Sequence, residues 1–458
     1  MQFTSTIFLI GLLPWFVLLL HFTRNLKNSK RILILLANII FYSFGGIGAL
    51  VFICLFSIVI WFLGSIIAAH KNKTVLGASL FIVAVPLLAA KYTGFAIDNI
   101  NHILGSQMQI SDIVIPLGIS FFTFEAISLL CDIHAGKING KIPVLNVYLY
   151  LSFFPTVTSG PIIRYGKFEA GLSGSLDAAG FGAAIERVII GLCKKMLVAD
   201  KIAPLADYYF GGVARGETYS CLGLWIGSVA YTLQLYFDFS GYSDMAIGIG
   251  QLLGFRINEN FNQPYRASSI SDFWKRWHIS LSQWFRDYVY IPLGGSHCTT
   301  PNHIFNLFVV WFLTGIWHGA DWSFVLWGIG YFILLVCENY MPIMKNVRGR
   351  WWGNLYTLFF VNLLWIPFRA DNLHTACEYI LGMFGANGFG TIEDKAVFFL
   401  PYVIVAIVLC FPCGSLLRKY CQESWYSIIK GILIIALAGL SVCAMINQSY
   451  APYIYGSF

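Results

Sequence analysis

Apolar runs about as long as a bilayer is thick recur through most of this sequence, and within each run the hydrophobic residues are continuous instead of alternating. Residues 6–22, 50–69, 222–250 and 304–340 are examples. A helix needs ~20 such residues to cross ~30 Å of hydrocarbon. In lipid only helices and closed barrels satisfy every backbone N–H and C=O. Barrel strands alternate apolar and polar side chains, so the continuous runs exclude a barrel. Composition agrees: the chain is 58% hydrophobic and 11% charged, against roughly 45–50% and about 25% in soluble domains. The expected fold is an all-α polytopic membrane protein.

The formal net charge of +7 sits largely in short connections, where it reads as membrane orientation and not as nucleic-acid binding. Run 6–22 is followed by Arg24, Lys27, Lys30 and Arg31, run 50–69 by Lys71 and Lys73, and run 113–131 by Lys137 and Lys141. Lysine and arginine favour the cytoplasmic side. The N-terminus is therefore expected outside, with 32–44 and 75–90 leading outward and 92–111 forming an external loop. The first run has no positive charge ahead of it and no small-residue cleavage site behind it, so it is expected to be retained. The 11 cysteines fall mostly in apolar runs and read as small hydrophobes. Cys410 and Cys413 form a Cys-x-x-Cys, but without a second pair or a thioredoxin-like context.

Residues 144–163 are broken by Pro155, Gly160 and Pro161, and residues 181–196 by Arg187, Lys194 and Lys195. Such segments suit half-membrane or surface-lying helices packed against a protein interior, where broken backbone is tolerated. Residues 254–300 are rich in Arg, Lys, Asn and Trp, which suggests a cytoplasmic or re-entrant region. Runs 352–368, 397–411 and 427–445 complete about eleven transmembrane or re-entrant elements. They are read as one membrane domain over 1–458, with N-terminal helices in 1–131, a core in 144–340 and C-terminal helices in 352–458. No internal repeat is visible, which weakens a transporter reading.

His318 interrupts the run 304–340. Fifteen residues from Ile304 raise a helix ~22 Å, less than the ~30 Å hydrocarbon thickness. An ionisable residue at that depth is by default a functional hypothesis, and the plainer alternative is a core histidine satisfied by neighbouring helices. Gly315 and Gly319 thin the helix around it, and Trp317 and Asp321 adjoin it.

His278 lies in SDFWKRWHISLSQWFRDYVYIPLGG. Trp274, Trp277, Leu281 and Trp284 gather with it on about one side of a helix, among Lys275, Arg276, Arg286 and Asp287. Taken alone, that pattern reads as an amphipathic interfacial helix with a snorkelling basic face. Asp238 and Asp244, in FDFSGYSDM, are carboxylates at membrane depth that could orient a histidine or pair with arginine; structural and functional readings stand level. His297, Cys298 and His303 lack a fourth ligand, so a loop is favoured and no metal site is expected. Neither a Gly-x-Ser-x-Gly elbow nor a Walker motif occurs.

FDFSGYSDMAIGIGQLLGF, NFNQPYRASSISDFWKRWHISLSQWFRDYVYIPLGGS and LTGIWHGADWSFVLWG together resemble the membrane-bound O-acyltransferase (MBOAT) family. They are most similar to its bacterial branch of polysaccharide O-acetyltransferases, and GPIIRY at 160–165 and the terminal APYIYGSF fit that branch. The resemblance implies a ring of helices around a thin centre pierced by a tunnel. It implies that His318 matches the family's near-invariant histidine and His278 a second active one. Acetyl-CoA would be the cytoplasmic donor, with no resident cofactor. The acceptor would be an extracytoplasmic polysaccharide or a secreted, periplasmic acetyltransferase partner. The protein would be multi-pass in the bacterial cytoplasmic (inner) membrane.

Read for chemistry, a neutral imidazole suits base or relay catalysis of acyl transfer. Lys275, Arg276 and Arg286, with Trp274 and Trp277 beside them, suit the phosphates and body of a coenzyme A donor, although the cations also serve as topology anchors. Asp238, Asp244, Trp317 and Asp321 are supporting candidates. The expected activity is O-acetylation with His318 as base. Transfer of another acyl group, such as D-alanine to teichoic acid, and a non-enzymatic transporter or flippase are the alternatives.

Overall fold

A computed structural model describes residues 3–447, apart from 24, 25, 27, 110–114, 140, 175, 176, 348 and 421. Arg24, Lys27 and the terminal APYIYGSF lie outside the described residues. Among those described, regular structure is helical throughout and no strand occurs. Four helices are long and apolar enough to cross a membrane: Ile47–His70, Lys73–Leu104, Trp322–Tyr340 and Glu423–Asn447. The other elements are shorter or more polar. The chain divides into two compact units, Met1–Val188 with Met245–Asn258, and Ile189–Asp244 with Glu259–Phe458.

In the first unit, Ile47–His70 packs against Ser29–Ser43, Ile119–His134 and Val144–Leu151. Buried polar groups fix the register. Asn38 donates to Ser152 Oγ at 2.9 Å and accepts from Phe154 N at 3.1 Å. Lys30 Nζ donates to the carbonyls of Gly171 and Gly174 at 2.6 and 2.9 Å, which ends a turn that a cation can satisfy. Residues 92–104, expected in an external loop, instead continue the helix Lys73–Leu104. Ile100, Ile103 and Leu104 keep an apolar spacing, and Asn99 bonds back to Phe95 O at 2.7 Å without breaking the helix. Termination waits for Gly105, whose φ of +63° is a left-handed cap. In Val144–Leu151, residues 146 to 151 are all buried, as expected of a short helix packed against a protein interior.

The second unit carries the densest core. Lys194 and Lys195, read as interruptions of an apolar run, lie in a π-helical segment, Lys194–Ala199, between Ala178–Cys193 and Asp200–Ala214. Lys195 is buried and bridges Asp200 at 2.8 Å and Asp238 at 2.7 Å. Lys194 pairs with Asp244 at 2.6 Å. A charge removed from water is tolerable only with such partners, so the five charges explain one another. Asn362 bridges Ser228 at 2.9 Å and Thr232 at 2.8 Å, fastening Trp351–Arg369 to Cys221–Leu252 within this unit.

Candidate active site

Thr300–His318 and Trp322–Tyr340 form a tight hairpin. Their backbones touch at two glycines: a Cβ on Gly315 would lie 2.6 Å from Phe324 O, and one on Gly328 would lie 2.5 Å from Trp311 O. Gly315, one of the two glycines expected to thin the helix, thus admits the second arm of the hairpin. His318 closes the first helix, and Asp321 caps the second by accepting from Ser323 N at 2.7 Å. Asp321 therefore shapes the corner, as an N-cap should. His318 is buried, ringed by Trp317, Trp327 and Phe368 at centroid distances of 4.6, 4.9 and 5.1 Å.

The stretch around His278 overturns the interfacial-helix expectation. It comprises two short helices, Ile270–Arg276 and Ile279–Phe285, broken at Trp277-His278. Trp274, Trp277, His278, Leu281 and Trp284 are all buried, so the aromatic side faces protein and not lipid headgroups. The apolar pattern was real, but its partner is the interior of the fold. His278 adopts φ +44°, ψ +53°, a left-handed conformation that costs a non-glycine residue about 1–2 kcal/mol. Neighbouring hydrogen bonds hold it there. Asn262 N donates to Arg276 O at 2.9 Å, and Ile279 N donates to Asn260 O at 3.0 Å. Glu338, buried at the end of Trp322–Tyr340, accepts from Ile270 N, from Ser271 N at 3.0 Å and from Ser271 Oγ at 2.9 Å. One carboxylate thus ties the hairpin to the start of the broken segment.

Both histidines belong to one aromatic cluster within this unit. His278 contacts Phe239 edge-on at 4.8 Å and lies 6.3 Å from Trp317. Trp277 packs on Phe261, Trp365 and Phe273 at 5.0, 5.1 and 5.6 Å. Trp274 meets Trp311 at 4.7 Å and Trp327 at 5.7 Å, and Trp327 is the indole beside His318. Burial lowers the His278 pKa to about 3, so its imidazole is neutral near pH 7.

A cavity of about 170 Å³ opens beside this cluster, lined by Trp274, Ser282, Arg286, Tyr290, Trp311 and Thr314 among others. Neither histidine lines it. Of the candidate donor-binding residues, Trp274 and Arg286 do. Arg286 is exposed and paired with Asp287 at 3.0 Å, Arg276 is held by Asp272 at 2.9 Å, and Lys275 is exposed. Asp238 and Asp244 pair with lysines as described, not with an arginine. His303 accepts or donates between two tyrosine hydroxyls, Tyr290 at 2.8 Å and Tyr340 at 2.6 Å. Among the described residues no group of three or more His, Cys, Asp or Glu is arranged to hold a metal. Sequence reading passed over Asn260, Lys195 and Glu338. Of these only the buried lysine left a signal, as a charge inside an apolar run.

The family model for MBOAT, the membrane-bound O-acyltransferase family, matches residues 37–373, so the chain belongs to that family. It is accordingly a multi-pass membrane O-acyltransferase. The chain is 35% identical to the "Probable alginate O-acetylase AlgI" of Azotobacter vinelandii, over 89% of this chain and 84% of that one. It is 29% identical to the "Peptidoglycan O-acetyltransferase" of Helicobacter pylori, over 98% and 95%. Similarity to the "Teichoic acid D-alanyltransferase" of Bacillus subtilis is also 29%, over 75% and 88%.

Proposed function

We propose that this protein takes acetyl groups from acetyl-CoA on the cytoplasmic side of the bacterial inner membrane and delivers them for O-acetylation of an extracytoplasmic polysaccharide. Delivery is direct or through a secreted partner. The observation that carries this reading is the placing of two buried histidines beside one indole, with His278 at 6.3 Å and His318 at 4.6 Å from Trp317, centroid to centroid. His318 is the base. An acceptor hydroxyl attacks the thioester carbonyl, forming the C–O bond as His318 takes the hydroxyl proton. The tetrahedral intermediate then collapses, the C–S bond breaks, and the imidazolium returns the proton to the departing CoA thiolate. His278 assists. Arg286, beside the cavity, suits a phosphate of the donor.

Similarity to the alginate and peptidoglycan O-acetylating relatives favours acetyl as the group transferred. Similarity to the D-alanyltransferase supports a second reading, D-alanine transfer to teichoic acid. Protein purified in micelles and supplied with acetyl-CoA should release free CoA once a polysaccharide acceptor or its secreted partner is added. Absence of CoA release with alginate, peptidoglycan and candidate partners, together with transfer from a D-alanyl thioester, would replace the first reading by the second.

A further inference from the structure

Asn260 is fully buried, and a backbone donor sets the direction of its amide. The backbone N–H of Ser280, which can only donate, lies 3.1 Å from Asn260 Oδ1, and Ser280 Oγ lies 2.9 Å from the same oxygen. At the other end, Asn260 Nδ2 lies 3.2 Å from Ser243 Oγ. The atom that Asn260 turns towards His278 is therefore the carbonyl oxygen, 3.3 Å from His278 Nδ1. A carbonyl cannot donate, so Nδ1 carries the proton. A neutral imidazole has one ring N–H, which leaves the lone pair on Nε2.

We propose that Asn260 is a positioning residue which locks His278 in the Nδ1–H tautomer, so that Nε2 works as a hydrogen-bond acceptor during transfer. The inference rests on the reading of His278 as part of the transfer site, and it decides how His278 assists. With Nε2–H the ring would donate to a carbonyl oxygen, as an oxyanion-stabilising group does. With a bare Nε2 it recognises an O–H group instead. The substrate group it faces is a second hydroxyl of the polysaccharide acceptor, beside the one whose proton goes to His318, and not the thioester carbonyl. An amide in this place fixes the tautomer without the negative charge that would stabilise an imidazolium. The same oxygen also fastens Ser280, at the first turn after the left-handed break, so ring and backbone are oriented together.

Nitrogen-15 NMR of histidine-labelled protein in micelles tests this directly, because protonated and bare ring nitrogens give distinct signals. The His278 signals are those lost in His278→Asn. Nδ1 protonated and Nε2 bare in the wild type is the expected result, retained in Ser280→Ala, which leaves the Asn260 carbonyl in place. In Asn260→Leu the tautomer preference should be lost, and kcat should fall by about 10²–10⁴-fold with KM for acetyl-CoA unchanged. An Nε2–H ring in the wild type overturns the proposal, and that spectrum decides even if Asn260→Leu does not fold. The expected tautomer alongside full activity in His278→Asn would leave the tautomer assignment standing and remove His278 from the transfer site.

Discussion

The imidazole of His278 lies 6.3 Å from the indole of Trp317, centroid to centroid. Trp317 is 4.6 Å from the ring of the next residue, His318, so one indole is neighbour to both histidines. The arrangement joins a hairpin corner to the break between two short helices. Each is a place where the helical hydrogen-bond ladder stops, and where a side chain can be aimed by its backbone and not by helical repeat alone.

His318→Ala should lower CoA release in micelles by about 10²–10⁴-fold, the ordinary contribution of a positioned general base. A variant that keeps more than about a tenth of the wild-type rate would remove His318 from that role.

Both Arg286 and Arg276 pair with a neighbouring aspartate, but only Arg286 lines the cavity. Steady-state kinetics of Arg286→Glu should therefore show a raised KM for acetyl-CoA with kcat little changed, and Lys275→Glu should show less. Equal effects from the two would return the donor site to a diffuse basic surface.

Stability should fall with pH through the neutral imidazole of His278. Its folded pKa of about 3 lies below the ordinary ~6.5 of the unfolded chain, so between those values the unfolded state binds the extra proton. Stability is then fully present above about pH 6.5 and is lost by up to about 1.4 kcal/mol for each pH unit below it. Thermal melts between neutral and mildly acidic pH should show a shallower slope in His278→Asn than in wild type. Identical slopes would contradict a neutral buried ring.

Lys195→Met leaves Asp200 and Asp238 facing each other without their shared cation. Breaking a buried pair in this way costs about 3–5 kcal/mol. A lowered melting temperature is expected, and an unchanged one would mean that the carboxylates find other compensation.

The hairpin arms meet backbone to backbone, so Gly315→Ala should destabilise by about 1–3 kcal/mol through overpacking. Melting of the purified variant measures it, and a neutral effect would show that the arms can part by a few tenths of an ångström at no cost.

Much of this was readable in the sequence because the bilayer leaves few choices. The interruption His318-Gly319-Ala320-Asp321 marked the hairpin corner, since a histidine and an aspartate inside an apolar run require a local reason. His278 lay in a polar stretch with no such interruption, and only the family resemblance singled it out. What escaped depends on partners distant in sequence. Asn260 and Glu338 act on the segment between them through long-range hydrogen bonds, which leave no periodicity. The row of tryptophans at 274, 277 and 284 gave the right apolar pattern and the wrong environment, because an aromatic face looks alike whether lipid headgroups or protein lie against it. Residues 92–104 were polar enough to suggest a loop, yet Gly94 stays helical and no proline intervenes, so the helix runs on to the left-handed Gly105.

The left-handed backbone at His278 also bears on how this site should be mutated. Among non-glycine residues, histidine, asparagine and aspartate visit that conformation most readily. An alanine scan would therefore make two changes at once at position 278, deleting the ring and opposing the bend between Ile270–Arg276 and Ile279–Phe285. Asparagine keeps the bend while removing the imidazole, and glycine keeps it while removing every side-chain atom. The ratio of activities in those two variants, not the loss in alanine, separates the histidine's chemistry from its geometry.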